Sequence, residues 1–124
     1  MGEAQRILIV DDEPHILRSL GFVLSRAGYD VLEARSGIEA LELVEQERPD
    51  LVFLDIMMPQ LDGYEVCRKI KSSDSLSGVY VILLTAKGQE DDRQKGLEAG
   101  ADDYMTKPFS PSRAVERVRL ALGQ

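Results

Sequence analysis

Apolar residues fall in short unbroken runs rather than in alternation, at positions 7–10, 51–54 and 79–84, with a shorter run at 31–34. β-Branched residues are common in the first and third of these runs. A strand covered on one face alternates apolar and polar side chains, whereas a strand covered on both faces is apolar throughout. The runs therefore predict buried strands of a parallel sheet. A fifth, weaker strand is expected at 101–105, interrupted by Asp102 and Asp103.

Helical periodicity fills the intervals. Ile16, Leu17, Leu20, Val23, Leu24 and Ala27 share one helical face, with Pro14 suited to the first turn and Gly28 to the end. Ser36 and Glu39 form a capping-box pattern ahead of Ala40, Leu41 and Val44. Asp62 and Glu65 repeat it ahead of Val66, Cys67 and Ile70, and Ser110 with Pro111 opens a last helix through Val115, Val118 and Leu122. The segment 89–99 differs, because Leu97 is its only sizeable apolar residue. An apolar face supplies most of a helix's stability, so this helix is expected to be the weakly anchored one. Strand and helix alternate five times, which predicts a doubly wound (βα)5 α/β domain with a five-stranded parallel sheet.

Composition narrows the class. A chain of 124 residues is expected to form one domain (1–124, core 5–122), with no output domain among these residues. Its net charge of −7 argues against direct binding of nucleic acid or an anionic membrane. The single cysteine, Cys67, can form no intrachain disulfide, and no apolar run approaches a membrane span, so a cytoplasmic location is expected.

Ligand sites of open α/β sheets lie beyond the carboxyl ends of the strands. The polar residues expected to follow the strands are Asp11, Asp12 and Glu13, then Asp55, then Thr85 before the small Ala86, then Lys107 before Pro108. Three close carboxylates repel one another, and a lysine with a hard divalent cation would offset that. Oxygen ligands favour Mg2+ (or Mn2+) over zinc. A carboxylate beside a cation, an ammonium and a hydroxyl suits phosphoryl chemistry through an aspartyl phosphate. Asp55, alone after a central strand, is the expected nucleophile, and Asp11 with Asp12 the metal-holding pair.

The stretches Ile7-Leu8-Ile9-Val10-Asp11-Asp12-Glu13, Leu54-Asp55-Ile56-Met57-Met58-Pro59 through Asp62-Gly63, Leu84-Thr85-Ala86, and Gly100-Ala101-Asp102-Asp103-Tyr104 through Lys107-Pro108-Phe109 resemble the receiver domain of two-component response regulators. The resemblance covers essentially the whole chain and implies the flavodoxin-like receiver fold. It implies that Asp55 accepts a phosphoryl group from a sensor histidine kinase or phosphotransfer protein. It further implies that Asp12, Asp55 and the Met57 backbone carbonyl bind Mg2+ with support from Asp11. Lys107 and Thr85, with Ala86 beside it, would meet the phosphoryl group, and Tyr104 would be the switch aromatic. The Lys107–Pro108 bond is expected to be cis, and Met57 and Lys87 occupy positions that tune phosphoryl lifetime, here toward slow loss. A switching face of the fourth helix, fifth strand and fifth helix would meet a downstream target, a missing output domain or, once phosphorylated, a second copy. Such a domain catalyses only its own phosphorylation and dephosphorylation.

Two rivals fit less well. A phosphatase of the haloacid dehalogenase type wants Asp-x-Asp after the first strand, whereas Asp11 and Asp12 are adjacent. A flavin binder needs a phosphate-cradling loop there, and Asp-Asp-Glu would repel phosphate. His15 reads as a solvated helix-terminus residue, and Cys67 as a core-facing residue rather than a catalytic thiol.

Overall fold

The computed structural model describes residues 4–58, 61–86 and 91–123, with backbone alone for 91–93. Five strands alternate with five helices: β1 (Arg6–Val10), α1 (Pro14–Arg26), β2 (Asp30–Ala34), α2 (Gly37–Glu47), β3 (Leu51–Asp55), α3 (Gly63–Ser72), β4 (Tyr80–Ala86), α4 (Asp91–Ala99), β5 (Asp103–Lys107) and α5 (Pro111–Ala121). All strand pairs are parallel, in the order β2-β1-β3-β4-β5. This is the flavodoxin-like order, in which the chain reverses direction across the sheet between β1 and β3.

The unbroken apolar runs are explained by two cores. Successive side chains of a strand point to opposite faces. Leu8, Val10, Val52, Leu54, Val81 and Leu83 enter one core with residues of α2 and α3. Ile7, Ile9, Leu51, Phe53, Ile82 and Leu84 enter the other with residues of α1 and α5. The edge strand β2 keeps Asp30 and Glu33 exposed, which disfavours pairing with another sheet.

The helix signals resolve into specific bonds. Ser36 Oγ accepts from Glu39 N at 3.2 Å, and Asp62 Oδ1 from Glu65 N at 2.9 Å. Ser110 Oγ accepts from Arg113 N at 3.3 Å. Glu39 reaches back to Arg35 N, one residue earlier than a capping box requires. Gly28 follows α1 at φ 100°, as an end signal should, but α2 closes on Arg48 at φ 47°, a left-handed residue with no glycine to announce it.

One expectation needs correction. The fifth strand is displaced by two residues, to 103–107 rather than 101–105. Asp102 is held outside it, because its Oδ2 accepts from Val81 N at 2.8 Å and pairs with Lys71 at 2.6 Å. The weak anchorage expected of α4 is met: Leu97 is 63% exposed, and among the described side chains of the helix only Gly96 and Ala99 are buried. The weakness expected of this helix is thus more pronounced than one inward leucine would give.

Candidate functional site

Asp11, Asp12 and Glu13 follow β1 as expected, whereas Asp55, Thr85 and Lys107 lie within the last two residues of their strands. Asp55 is the last residue of β3, Thr85 the penultimate residue of β4 and Lys107 the last of β5. In register, Asp55 pairs with Leu84, and Ala86 with Lys107. Asp11 extends β1 by donating its N–H to Ala34 O at 3.1 Å. These positions meet at the β1/β3 reversal, where the strand ends leave a cleft.

Asp11, Asp12 and Asp55 each bring a carboxylate oxygen within 4.8 Å of the others. Asp11 and Asp55 are buried and Asp12 is exposed. Asp11 Oδ1 accepts from Glu13 N at 2.9 Å, and Asp55 Oδ1 from Met57 N at 3.0 Å, so local turns fix both carboxylates. Lys107 Nζ lies 2.8 Å from Asp11 Oδ2, 2.8 Å from Glu13 Oε2 and 3.5 Å from Asp55 Oδ2. Its approach to Asp11 is ionic and off the hydrogen-bonding direction, which leaves the fully buried Asp11 Oδ2 without a hydrogen bond. A buried carboxylate oxygen in that condition, beside two further carboxylates, fits a hard cation such as Mg2+.

The electrostatics agree. Burial, reinforced by the charge of Asp11, raises the Asp55 carboxyl to about 6, against the downward pull of the Met57 N–H and Lys107. Burial alone would lower the Lys107 ammonium, but Asp11, Glu13 and Asp55 outweigh it and hold Lys107 above the ordinary lysine value. Hydrogen bonding to Lys107 holds Glu13 below the usual carboxylate range.

The remaining residues are distributed as follows. Thr85 is buried, and its hydroxyl makes one long bond, to Met105 O at 3.5 Å. Ala86 is exposed, and the Lys107–Pro108 peptide bond is cis. Met57 is 72% exposed at the rim, and Lys87 lies outside the described residues. Tyr104 is not brought to the carboxylates. It pairs with Leu83 and borders a cavity of about 140 Å³ between α4 and β5, lined also by Gly96, Leu97 and Ala101. His15 is exposed, 3.9 Å from Glu13 Oε1. Cys67 is buried with its thiol pushed up to about 11 by burial, far from reactive. Sequence reasoning gave no role to Glu13, although a third acid after Asp11-Asp12 was the available signal.

An acidic pocket with one lysine, set at the strand ends of a five-stranded parallel sheet, defines a receiver-type signalling domain. The profile of the response regulator receiver domain family matches residues 7–119, and the chain belongs to that family. It is 49% identical over 118 residues to the alkaline phosphatase synthesis transcriptional regulatory protein PhoP of Bacillus subtilis, covering 95% of this chain and 48% of that protein. The chain thus spans about half the length of the curated relatives it matches. Among solved structures, it resembles the signal receiver domain of a signal transduction histidine kinase from Syntrophus aciditrophicus, at 38% identity and TM-score 0.90, over 97% and 91% of the two chains. It also resembles the receiver domain of the sensor histidine kinase PA1611 from Pseudomonas aeruginosa PAO1, which has a magnesium ion coordinated in its active-site cleft. That match has 33% identity and TM-score 0.88 over 98% and 99% of the two chains. No described helix is long and apolar enough to cross a membrane.

Proposed function

We propose that Asp55 is the phosphoacceptor of this receiver domain. The observation that supports this most is its placement: a buried carboxylate at the end of a central strand, 3.5 Å from Lys107 and within 4.8 Å of Asp11 and Asp12. An Asp55 oxygen attacks the phosphorus of a phosphohistidine on a histidine kinase or phosphotransfer protein. The new P–O bond forms as the P–N bond breaks, and the imidazole leaves with the electron pair. Asp11, Asp12, Asp55 and the Met57 carbonyl would hold Mg2+. When bound, that ion would offset negative charge on the phosphoryl oxygens. Lys107 pairs with those oxygens, and the Thr85 hydroxyl and the Ala86 backbone N–H approach them as the end of β4 shifts.

In this reading the response travels to the α4–β5–α5 face. Gly96 and Ala99 give α4 little apolar anchorage, so it is the least costly element to displace, and Tyr104 turns as Thr85 moves. Residues 1–124 act as one cytoplasmic switch unit, core 5–122, without an output domain of their own. The face addresses a target, a second copy or an output segment of the transcription-regulator kind that PhoP represents. The domain catalyses only gain and loss of its own phosphoryl group. The exposed Met57 side chain shields the acyl phosphate from water, and Lys87, at the second position that tunes phosphoryl lifetime, adds a positive charge; slow hydrolysis follows.

Acetyl phosphate with Mg2+ tests the central claim. A single phosphoryl adduct by intact mass, lost in Asp55→Asn and in EDTA, is expected. No adduct, or one that survives Asp55→Asn, overturns it.

A further inference from the structure

Glu13 is outside the three carboxylates that converge for a cation, yet it accepts the shorter of the two hydrogen bonds from Lys107, 2.8 Å against 3.5 Å to Asp55. It occupies the N-cap position of α1, but its side chain does not cap the helix. Its Oε2 instead accepts from Lys107 Nζ at 2.8 Å, which bridges the β1–α1 turn to the end of β5. Lys107 reaches Asp55 only at 3.5 Å. In the resting site the ammonium is therefore drawn to Asp11 and Glu13 and stands back from the phosphoacceptor.

The two carboxylates that hold Lys107 differ in how easily they release it. Asp11 is fully buried, so leaving its charge unpaired is costly. The Glu13 side chain is 46% exposed, so water can replace the ammonium at little cost. A phosphoryl group on Asp55 brings three strong acceptors and about −1.5 to −2 charges at pH 7. An ammonium has three donors. Standing 3.5 Å from Asp55, Lys107 must move to serve the new oxygens, and of its two partners at 2.8 Å Glu13 is the one it can leave.

We propose that Glu13 is a positioning residue that latches Lys107 in the unphosphorylated state and competes with the phosphoryl group for it. The latch rests on the reading of Asp55 as phosphoacceptor and adds a setting for how readily the switch is thrown. Glu13 holds the lysine back; the phosphoryl group on Asp55 wins it over.

Beryllofluoride in Mg2+, a stand-in for the phosphoryl group, supplies the test. Its apparent Kd is read from the Thr85 and Ala86 amide signals in wild type, Glu13→Gln and Glu13→Asp. Glu13→Gln removes the charge. Glu13→Asp keeps it but shortens the arm by one methylene, which breaks or lengthens the 2.8 Å bond to Lys107. A latch predicts tighter binding in both variants, by about three- to tenfold for the loss of one partly exposed charged bond. Tighter binding in Glu13→Gln with wild-type behaviour in Glu13→Asp overturns the latch, because charge repulsion alone then explains the effect. Equal or weaker binding in Glu13→Gln also overturns it. Failure of the wild type to bind overturns the phosphoacceptor reading along with the latch, whereas normal wild-type binding with unmoved variants removes the latch alone.

Discussion

Lys107 is the ion-pair partner of Asp11 at 2.8 Å, and Asp11 has no solvent exposure to fall back on. Removing one partner of a buried pair strands the other charge, typically at a cost of about 3–5 kcal/mol. Lys107→Met is therefore expected to lower unfolding stability in urea by an amount of that order. Adding Asp11→Asn should recover most of the loss, because the stranded charge is then gone. A double variant no more stable than Lys107→Met would contradict the pairing.

Asp55 gives the site a pH signature in metal-free protein. Its folded value of about 6 lies above its ordinary value, chiefly through burial. A carboxyl raised on folding imposes no penalty below the unfolded value; its penalty grows as pH rises from the unfolded to the folded value and then levels off. The ionised form thus costs the fold on the order of 2–3 kcal/mol above about pH 6.5. In EDTA, Asp55→Asn is expected to be more stable than wild type at pH 8. The advantage should fade between pH 6 and pH 4. Parallel unfolding midpoints across that range would contradict it.

The sequence exposed those features of fold and site that rest on short-range chemistry. Two-sided burial makes β1, β3 and β4 apolar without interruption, so their positions and the parallel sheet were readable. Asp55 and Thr85 were readable because each breaks an apolar run at its end, and Lys107 because it precedes Pro108 just after the weaker fifth run. Long-range bonds were not readable. Asp102 leaves β5 because it bonds Val81, twenty-one residues away, and no local pattern encodes that. Glu13 meets Lys107 across 94 residues, so its partner emerges only once the sheet brings the first and last strands' ends together. The weak anchorage of α4 was readable from its lack of apolar residues, but its close approach to Leu83 at Gly96, where an added Cβ would lie 2.9 Å from a Leu83 methyl, was not.

Asp12 separates metal binding from folding. It is exposed and belongs to the carboxylate cluster, whereas Asp11 and Asp55 are buried. Replacing an exposed residue usually alters stability by no more than about 0.5 kcal/mol. Asp12→Asn should therefore leave the EDTA-treated protein nearly unchanged. A ligand that binds only the folded state stabilises it by about 2.7 kcal/mol at a hundred times its Kd. Wild type is expected to gain thermal stability on Mg2+ titration, and Asp12→Asn to lose most of that gain. Equal Mg2+ responses would exclude Asp12 as a ligand.

Two helical glycines should respond to alanine with opposite signs. Gly21 lies within α1, and an added Cβ there would meet Glu33 Oε2 at 3.4 Å and a Val31 methyl at 3.8 Å, which is ordinary contact. Alanine in a helix interior is favoured over glycine by about 0.5–1 kcal/mol, so Gly21→Ala should stabilise the protein by roughly that amount. Gly63 opens α3 directly over the end of β3. A Cβ there would lie 2.6 Å from Ile56 Cα and 2.7 Å from Asp55 O, both main-chain atoms that cannot turn aside. The helix or the Asp55 backbone must shift, and overpacking of that kind costs about 1–3 kcal/mol. Because the displaced strand end carries Asp55, Gly63→Ala should also slow labelling by acetyl phosphate, whereas Gly21→Ala should not. Chemical denaturation and labelling rates on the two variants check both claims. A Gly63→Ala protein with wild-type stability and labelling would show that the α3–β3 approach is looser than these distances require.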